Sequence, residues 1–192
     1  PLWSRGLGDV YKRQLLDLKR QGKIRAIGIS NATPETLAEY LEHGPVDAIQ
    51  ERYSLIDRDI ESTLLPPCRD HGVASLGYSS LALGLLAGPI DPARQFTGDD
   101  QRAGNPRFSA ANRQRLKGFF EALTPLQQRL DCSYAQLMIA WTTRQGGVST
   151  ALCGARTPAQ AIQNAGAADL KLDSAALAAI DAAAARHLAT LD

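Results

Sequence analysis

Ser30 and Asn31 close a short apolar run, Gly22-Lys-Ile-Arg-Ala-Ile-Gly-Ile-Ser-Asn31, and stand almost at the front of the chain. An asparagine amide donates and accepts through one planar group, so it matches the donor and acceptor of a ligand carboxamide. The same pair before a helix also suits a plain turn or cap. Gln50 ends a second apolar run and offers another amide, or simply a surface glutamine at a sheet rim. Tyr78 ends a third run and opens the segment Gly77-Tyr-Ser-Ser-Leu-Ala-Leu-Gly-Leu-Leu-Ala-Gly88, whose ordinary alternative is a core tyrosine and a flexible turn. The fourth place is Cys153-Gly-Ala-Arg-Thr-Pro-Ala-Gln-Ala-Ile-Gln-Asn164, strand then helix start, where unsatisfied N–H groups favour an anion. Arg156 adds a planar cation suited to phosphate.

These groups can cooperate only if their strands end on one face, as they do in an α/β barrel. The chain does alternate helix and strand signals, the pattern of a parallel sheet with crossover helices. A helix over Leu15–Gln21 is closed by Gly22, and a strand Arg25–Ser30 follows. Thr33 caps a helix with Pro34 at its first position, ended by Gly44, and Val46–Glu51 is the second strand. Ser54–Leu65 reads as irregular, and Pro66-Pro67 opens a short helix to His71-Gly72. Val73–Tyr78 is the third strand, and the long connection Ser79–Ser109 is a candidate lid or binding loop. Leu116, Phe119, Phe120, Leu123, Leu126 and Leu130 mark an amphipathic helix with a bend expected near Pro125. Ser133 and Gln136 form a capping box for the next helix, whose inner face includes Leu137, Ala140 and Trp141. Val148–Cys153 is the fourth strand, Thr157-Pro158 opens another helix, and an alanine-rich helix begins near Ser174.

Composition narrows the function classes. The 192 residues suit one domain but fall short of the ~250 usual for a closed eight-stranded barrel, which points to a fragment. A net charge of +1 with interleaved signs recommends neither nucleic acid nor an anionic membrane as partner. No apolar run approaches the ~18 to 20 residues that span a bilayer. Three cysteines, Cys68, Cys132 and Cys153, without C-x-x-C spacing read as reduced thiols of a cytoplasmic protein. His43, His71 and His187 are scattered near helix ends, so no metal site is expected.

The four strand ends together resemble the C-terminal half of the aldo/keto reductase family. The resemblance implies an α/β fold made of strands five to eight of a (β/α)8 TIM barrel, of the NADP-linked oxidoreductase type. By it, Ser30, Asn31 and Gln50 hold the nicotinamide carboxamide and Tyr78 stacks on the ring. Ser79, Leu81, Gly84 and Leu85 line the pyrophosphate; Gly154, Arg156, Gln160, Gln163 and Asn164 surround the adenosine and its 2′-phosphate. Gln160 stands where many members have arginine and Gln163 where many have glutamate, so NADP(H) is expected with NAD left open. Ser80 replaces the family's usual proline, which should loosen the turn. Asp99, Asp100, Arg102, Pro106, Arg107 and Phe108 resemble the family's long loop, and Arg102 or Arg107 would close over the pyrophosphate; the plain alternative is a solvated charged loop. The resemblance covers Leu15 to the C-terminus. Residues 1–14, PLWSRGLGDVYKRQ, resemble translated library-adapter sequence and are expected to be non-native; their ordinary reading is a loop and the start of a helix.

In the family, carbonyl reduction also needs a proton-donating tyrosine, its lysine and aspartate partners and a histidine, all from the first half of the barrel. That tetrad has no counterpart here, and Tyr11, Tyr40, Tyr53, Tyr78 and Tyr134 do not match the tyrosine's position. No catalytic residue is assigned. The resemblance implies a whole protein that reduces aldehydes or ketones with a nicotinamide cofactor and a small carbonyl substrate, and a chain inactive alone. A half barrel should expose two sheet edges, so aggregation or pairing is expected. Two other readings are a non-enzymatic cofactor-binding regulator like the potassium-channel β-subunits, and a different barrel enzyme with a phosphate site after its last strands.

Overall fold

Short β-runs separated by capped helices build one parallel sheet. The computed structural model describes residues 2–191, with side chains from residue 11 onward. The strands are β1 (Gly28–Ser30), β2 (Ala48–Arg52), β3 (Ala74–Tyr78) and β4 (Thr150–Ala151), in the order β1-β2-β3-β4 and all parallel. Gly28 pairs with Ala48 and Ser30 with Gln50; Arg52 pairs with Tyr78; Leu76 pairs with Thr150. The register therefore carries Ser30, Gln50 and the end of β3 to one rim.

The helices are α1 (Leu2–Arg20), α2 (Pro34–Glu42), α3 (Ile60–Thr63), α4 (Leu65–Asp70), α5 (Ala110–Arg129), α6 (Tyr134–Thr143), α7 (Pro158–Ala165) and α8 (Ser174–His187). The caps form as the sequence expects. Thr33 accepts from the Thr36 N–H, Thr157 from that of Gln160, and Ser133 with Gln136 closes a reciprocal capping box. Pro125 lies inside α5, where the expected interruption is absorbed within one continuous helix.

Period-two alternation divides the sheet into unlike faces. Ile49, Glu51, Ser75 and Gly77 are buried, whereas Gly28, Ser30, Gln50 and Arg52 are exposed on the other side. Ile49 packs with Leu37, Leu64, Cys68 and Val73 from the helix layer. The larger core joins α5, α6 and α8 to the segment after β2, with Trp141 stacked on Tyr53 at 6.1 Å between centroids. Gly77 packs closely under Tyr53, since a Cβ there would meet the Tyr53 Cβ at 3.2 Å, tighter than an ordinary contact.

Several expectations shift. β1 begins only at Gly28, because the Ile27 N–H is taken by the Asp47 carboxylate rather than by a strand. β4 is two residues instead of six, since it has β3 alone as neighbour. The stretch expected to be irregular contains α3, which pairing of Arg58 with Glu61 supports. α1 runs through residues 2–20 without a break at Leu15, and buried Lys12 donates to the Pro45 carbonyl at 2.6 Å. Lys19 pairs with Asp47 at 2.7 Å, a second tie from α1 to the start of β2. β1 and β4 form the two edges of the sheet.

Candidate functional site

At the carboxyl rim, β1 and β2 are laced together through one carbonyl. The Gln50 carbonyl accepts from Ser30 Oγ at 2.9 Å and from the Asn31 N–H at 3.2 Å. Asn31 then turns into the left-handed region, with φ 53°. Its Oδ1 accepts from the Tyr78 hydroxyl at 2.7 Å, spanning from β1 to β3. Ser30, Asn31, Gln50 and Tyr78 are thus brought together, with the Gln50 side chain exposed on the open face. This leaves the Asn31 Nδ2 and the Gln50 amide as donors and acceptors beside a half-buried aromatic ring.

The segment after β3 is a run of tight turns. Ser79, Ala82 and Leu83 take φ values of 60°, 47° and 58°, and Gly84 takes 89°. Of the described non-glycine residues with positive φ, all but Asp131 fall at Asn31 or in this turn. Clustering of strained backbone marks functional positions more often than chance packing does. Ser79 and Leu81 are half-buried at the rim, while the Gly84 and Leu85 N–H groups bond to the carbonyls of Leu81 and Ala82. The Leu85 side chain is fully buried in the core, so it offers a ligand only backbone. The buried Ser80 hydroxyl donates to the Gly77 carbonyl at 3.1 Å, a tie across the turn that a proline would not make.

At β4 and the start of α7 the expected residues are arranged differently. Gln160 Oε1 accepts from the Arg156 N–H at 2.8 Å, and Asn164 Nδ2 donates to the Gly154 carbonyl at 3.2 Å. Both side chains therefore shape the Gly154–Thr157 loop. Gln163 and the Arg156 guanidinium are exposed. A groove of about 510 Å³ is lined by Ile139 and Thr143 of α6, by Arg144 just after it, by β4 and by Asn164, on the helix side of the sheet rather than at its rim.

The two loop arginines part company. Arg107 is ion-paired to Asp57 at 2.9 Å, which fastens the loop to the segment after β2. Arg102 lies over Phe96 at 4.4 Å and grips Asp100 in a fork. Those hydrogen bonds hold the Asp100 carboxyl far below its ordinary value, with a smaller contribution from the Arg156 charge. The loop thus lies close enough to Arg156 for their charges to interact.

Sequence reasoning did not reach two features. The run Tyr53-Ser-Leu-Ile-Asp-Arg58 is a structural knot: Arg58 stacks on Trp141 and pairs with Glu61 and Asp181, and the Tyr53 hydroxyl donates to Glu61. Burial and the hydrogen bond to Glu61 raise the Tyr53 phenol well above its ordinary range. The other is Glu51, buried on the helix side and accepting the Ala32 N–H at 2.7 Å. Its signal was the strand alternation itself, which places residue 51 opposite Gln50. The three cysteines are free, and burial pushes the Cys68 thiol up to about 11. Among the described residues no cluster of His, Cys, Asp and Glu could hold a metal, and no helix is long and apolar enough to cross a membrane.

A parallel sheet whose carboxyl ends gather amides, a tyrosine and an arginine beside a helix start has the layout of α/β barrel enzymes, which bind ligands at that face. The aldo/keto reductase family model matches residues 11–185, and the chain belongs to that family. It is 38% identical over 161 residues to an NADH-specific methylglyoxal reductase of Escherichia coli, covering 84% of this chain and 49% of the relative. An aldo-keto reductase of Bacillus subtilis is 35% identical over 148 residues, covering 75% and 44%. The fold is similar to that of a glycerol dehydrogenase from Gluconobacter oxydans, with a TM-score of 0.87 and 32% identity over 94% of this chain and 55% of that one. The chain spans about half the length of the curated relatives it matches. The match begins at residue 11, so the last four residues of the adapter-like stretch lie inside it.

Proposed function

We propose that this chain is the C-terminal half of an aldo/keto reductase barrel and carries most of its nicotinamide dinucleotide site. The observation behind this reading is the convergence of Asn31, Gln50 and Tyr78 at one rim. The donor set fits a nicotinamide: two amides match a carboxamide, and an aromatic ring offers a stacking face. When bound, the cofactor supplies a hydride for reduction of an aldehyde or ketone. The chain's own residues orient it. Asn31 and Gln50 hold the carboxamide, Tyr78 covers one ring face, and Ser30 locks β1 to β2 beneath them. The turn Ser79–Leu85 presents backbone to the pyrophosphate, and Gly154, Arg156, Gln160, Gln163 and Asn164 face the adenosine. No residue here serves as the proton donor, so the chain alone binds cofactor without turnover. The proposal keeps the protein cytoplasmic; of the residues 1–14 expected to be extraneous, the last four lie inside the family match and Lys12 is bonded to Pro45.

NADP(H) is the preferred form because Arg156 offers an exposed guanidinium at the adenosine end. NADH is the second reading. It is favoured by Gln160, whose carbonyl oxygen is engaged by the Arg156 N–H, and by the similarity to a relative described as NADH-specific. Titration of the purified chain with NADPH and NADH, followed by cofactor fluorescence, tests both. Saturable binding that Tyr78→Ala weakens supports the site, tighter NADPH binding supports the first form, and binding of neither refutes the proposal.

A further inference from the structure

We infer that Glu51 is a positioning residue that sets the Asn31 amide for the nicotinamide carboxamide, an inference that rests on the cofactor site proposed above. Glu51 is 5% exposed, on the helix-facing side of β2, while its neighbour Gln50 faces the open side. Among the described residues no cation pairs with it, and the Ala32 N–H bonds to its Oε1 at 2.7 Å. A buried carboxylate without a counter-ion costs stability, and burial does push this carboxyl above its ordinary value. Packing alone would favour an apolar side chain here, as at Ile49 two residues earlier on the same face.

What the carboxylate holds gives the reason. Ala32 follows Asn31, whose left-handed backbone is uncommon for a residue other than glycine. The peptide is fixed on both sides: the Asn31 N–H goes to the Gln50 carbonyl and the Ala32 N–H to Glu51. Between them the Asn31 side chain projects to the Tyr78 hydroxyl. Gln50 thus acts through its main-chain carbonyl and Glu51 through its buried side chain. Without the Glu51 anchor, Asn31 relaxes toward ordinary backbone and its amide leaves the rim.

The test measures binding of NADPH and NADH, binding of 2′,5′-ADP and AMP as adenosine-end probes, and thermal stability, for wild type, Glu51→Gln and Glu51→Ala. Loss of a charged hydrogen bond predicts about tenfold weaker dinucleotide binding in E51A, with the adenosine-end probes unchanged. E51Q keeps an acceptor oxygen and no longer buries a charge. It therefore recovers most of the affinity and melts no lower than wild type. Equal losses on both kinds of probe, a dinucleotide affinity in E51A equal to wild type, or an E51Q variant no better than E51A would each overturn the inference. A wild-type chain that binds neither dinucleotide overturns the cofactor reading and the nicotinamide role with it. The Asn31 side-chain amide resonances then report the positioning itself: a shift in E51A that E51Q restores upholds it, and no shift refutes it.

Discussion

The two ends of the proposed cofactor site are built to different standards. At the proposed nicotinamide end, three paired strands converge, cross-strand hydrogen bonds hold Ser30, Asn31 and Tyr78, and a buried carboxylate holds the Ala32 N–H. At the adenosine end, a two-residue strand leads to a helix with no buried residue, and Gln160 and Asn164 support their own loop. Orientation of a reacting ring demands rigid placement, whereas recognition of a charged, solvated phosphate tolerates a mobile side chain. The difference in burial follows that division of labour.

The largest effect should come from the core under the nicotinamide end. Trp141 is fully buried on Tyr53 and beneath Arg58. Trp141→Ala is expected to cost about 3–5 kcal/mol, read by denaturant melts, and to take cofactor binding with it. Tyr78→Ala sharpens the comparison, since it should weaken both dinucleotides by about tenfold or more with little change in melting. Arg156→Gln should lower NADPH affinity by about tenfold and leave NADH affinity unchanged; an equal loss for both would break the assignment of this end to the 2′-phosphate.

A smaller effect should appear as opposite pH dependences at the two ends of β2. Lys19 and the Ile27 N–H lower the Asp47 carboxyl from its ordinary 3.8, so its stabilisation holds above that pH and fades as pH falls through the native value. Burial raises Glu51 from 4.5, so its contribution is present below that pH and fades as pH rises through the native value. Melts against pH of Asp47→Asn and Glu51→Gln should lose the acid-side and the higher-pH dependence respectively. The smallest change is expected at Ile162 of α7, which is 74% exposed. Ile162→Ala should stay within about 0.5 kcal/mol of wild type by the same melts, and a larger loss would show that α7 is supported after all.

Local rules read well wherever a residue acts on its own neighbours. Thr33, Ser133 and Thr157 cap the helices they precede, because a side-chain oxygen needs only the N–H three residues on. Arg107 was legible as a cation in a loop but not as the partner of Asp57, fifty residues earlier. Ser80 read as a missing proline, and only the fold shows its hydroxyl bonded back to the Gly77 carbonyl. β4 read as a six-residue strand, Val148–Cys153, and pairs over two residues, since ladder length depends on the neighbouring strand.

The sequence by itself determined the alternation of helices and parallel strands, the capped helix starts at Thr33, Ser133 and Thr157, and the strand ends at Ser30 and Tyr78. Those follow from periodicity, caps and turns, which act over a few residues. Only the tertiary structure decided that Tyr78 reaches Asn31, that Glu51 anchors Ala32 and that Gln160 turns back on Arg156. These contacts depend on strand register and on which face of β2 is buried, and register is set by packing between segments distant in the chain.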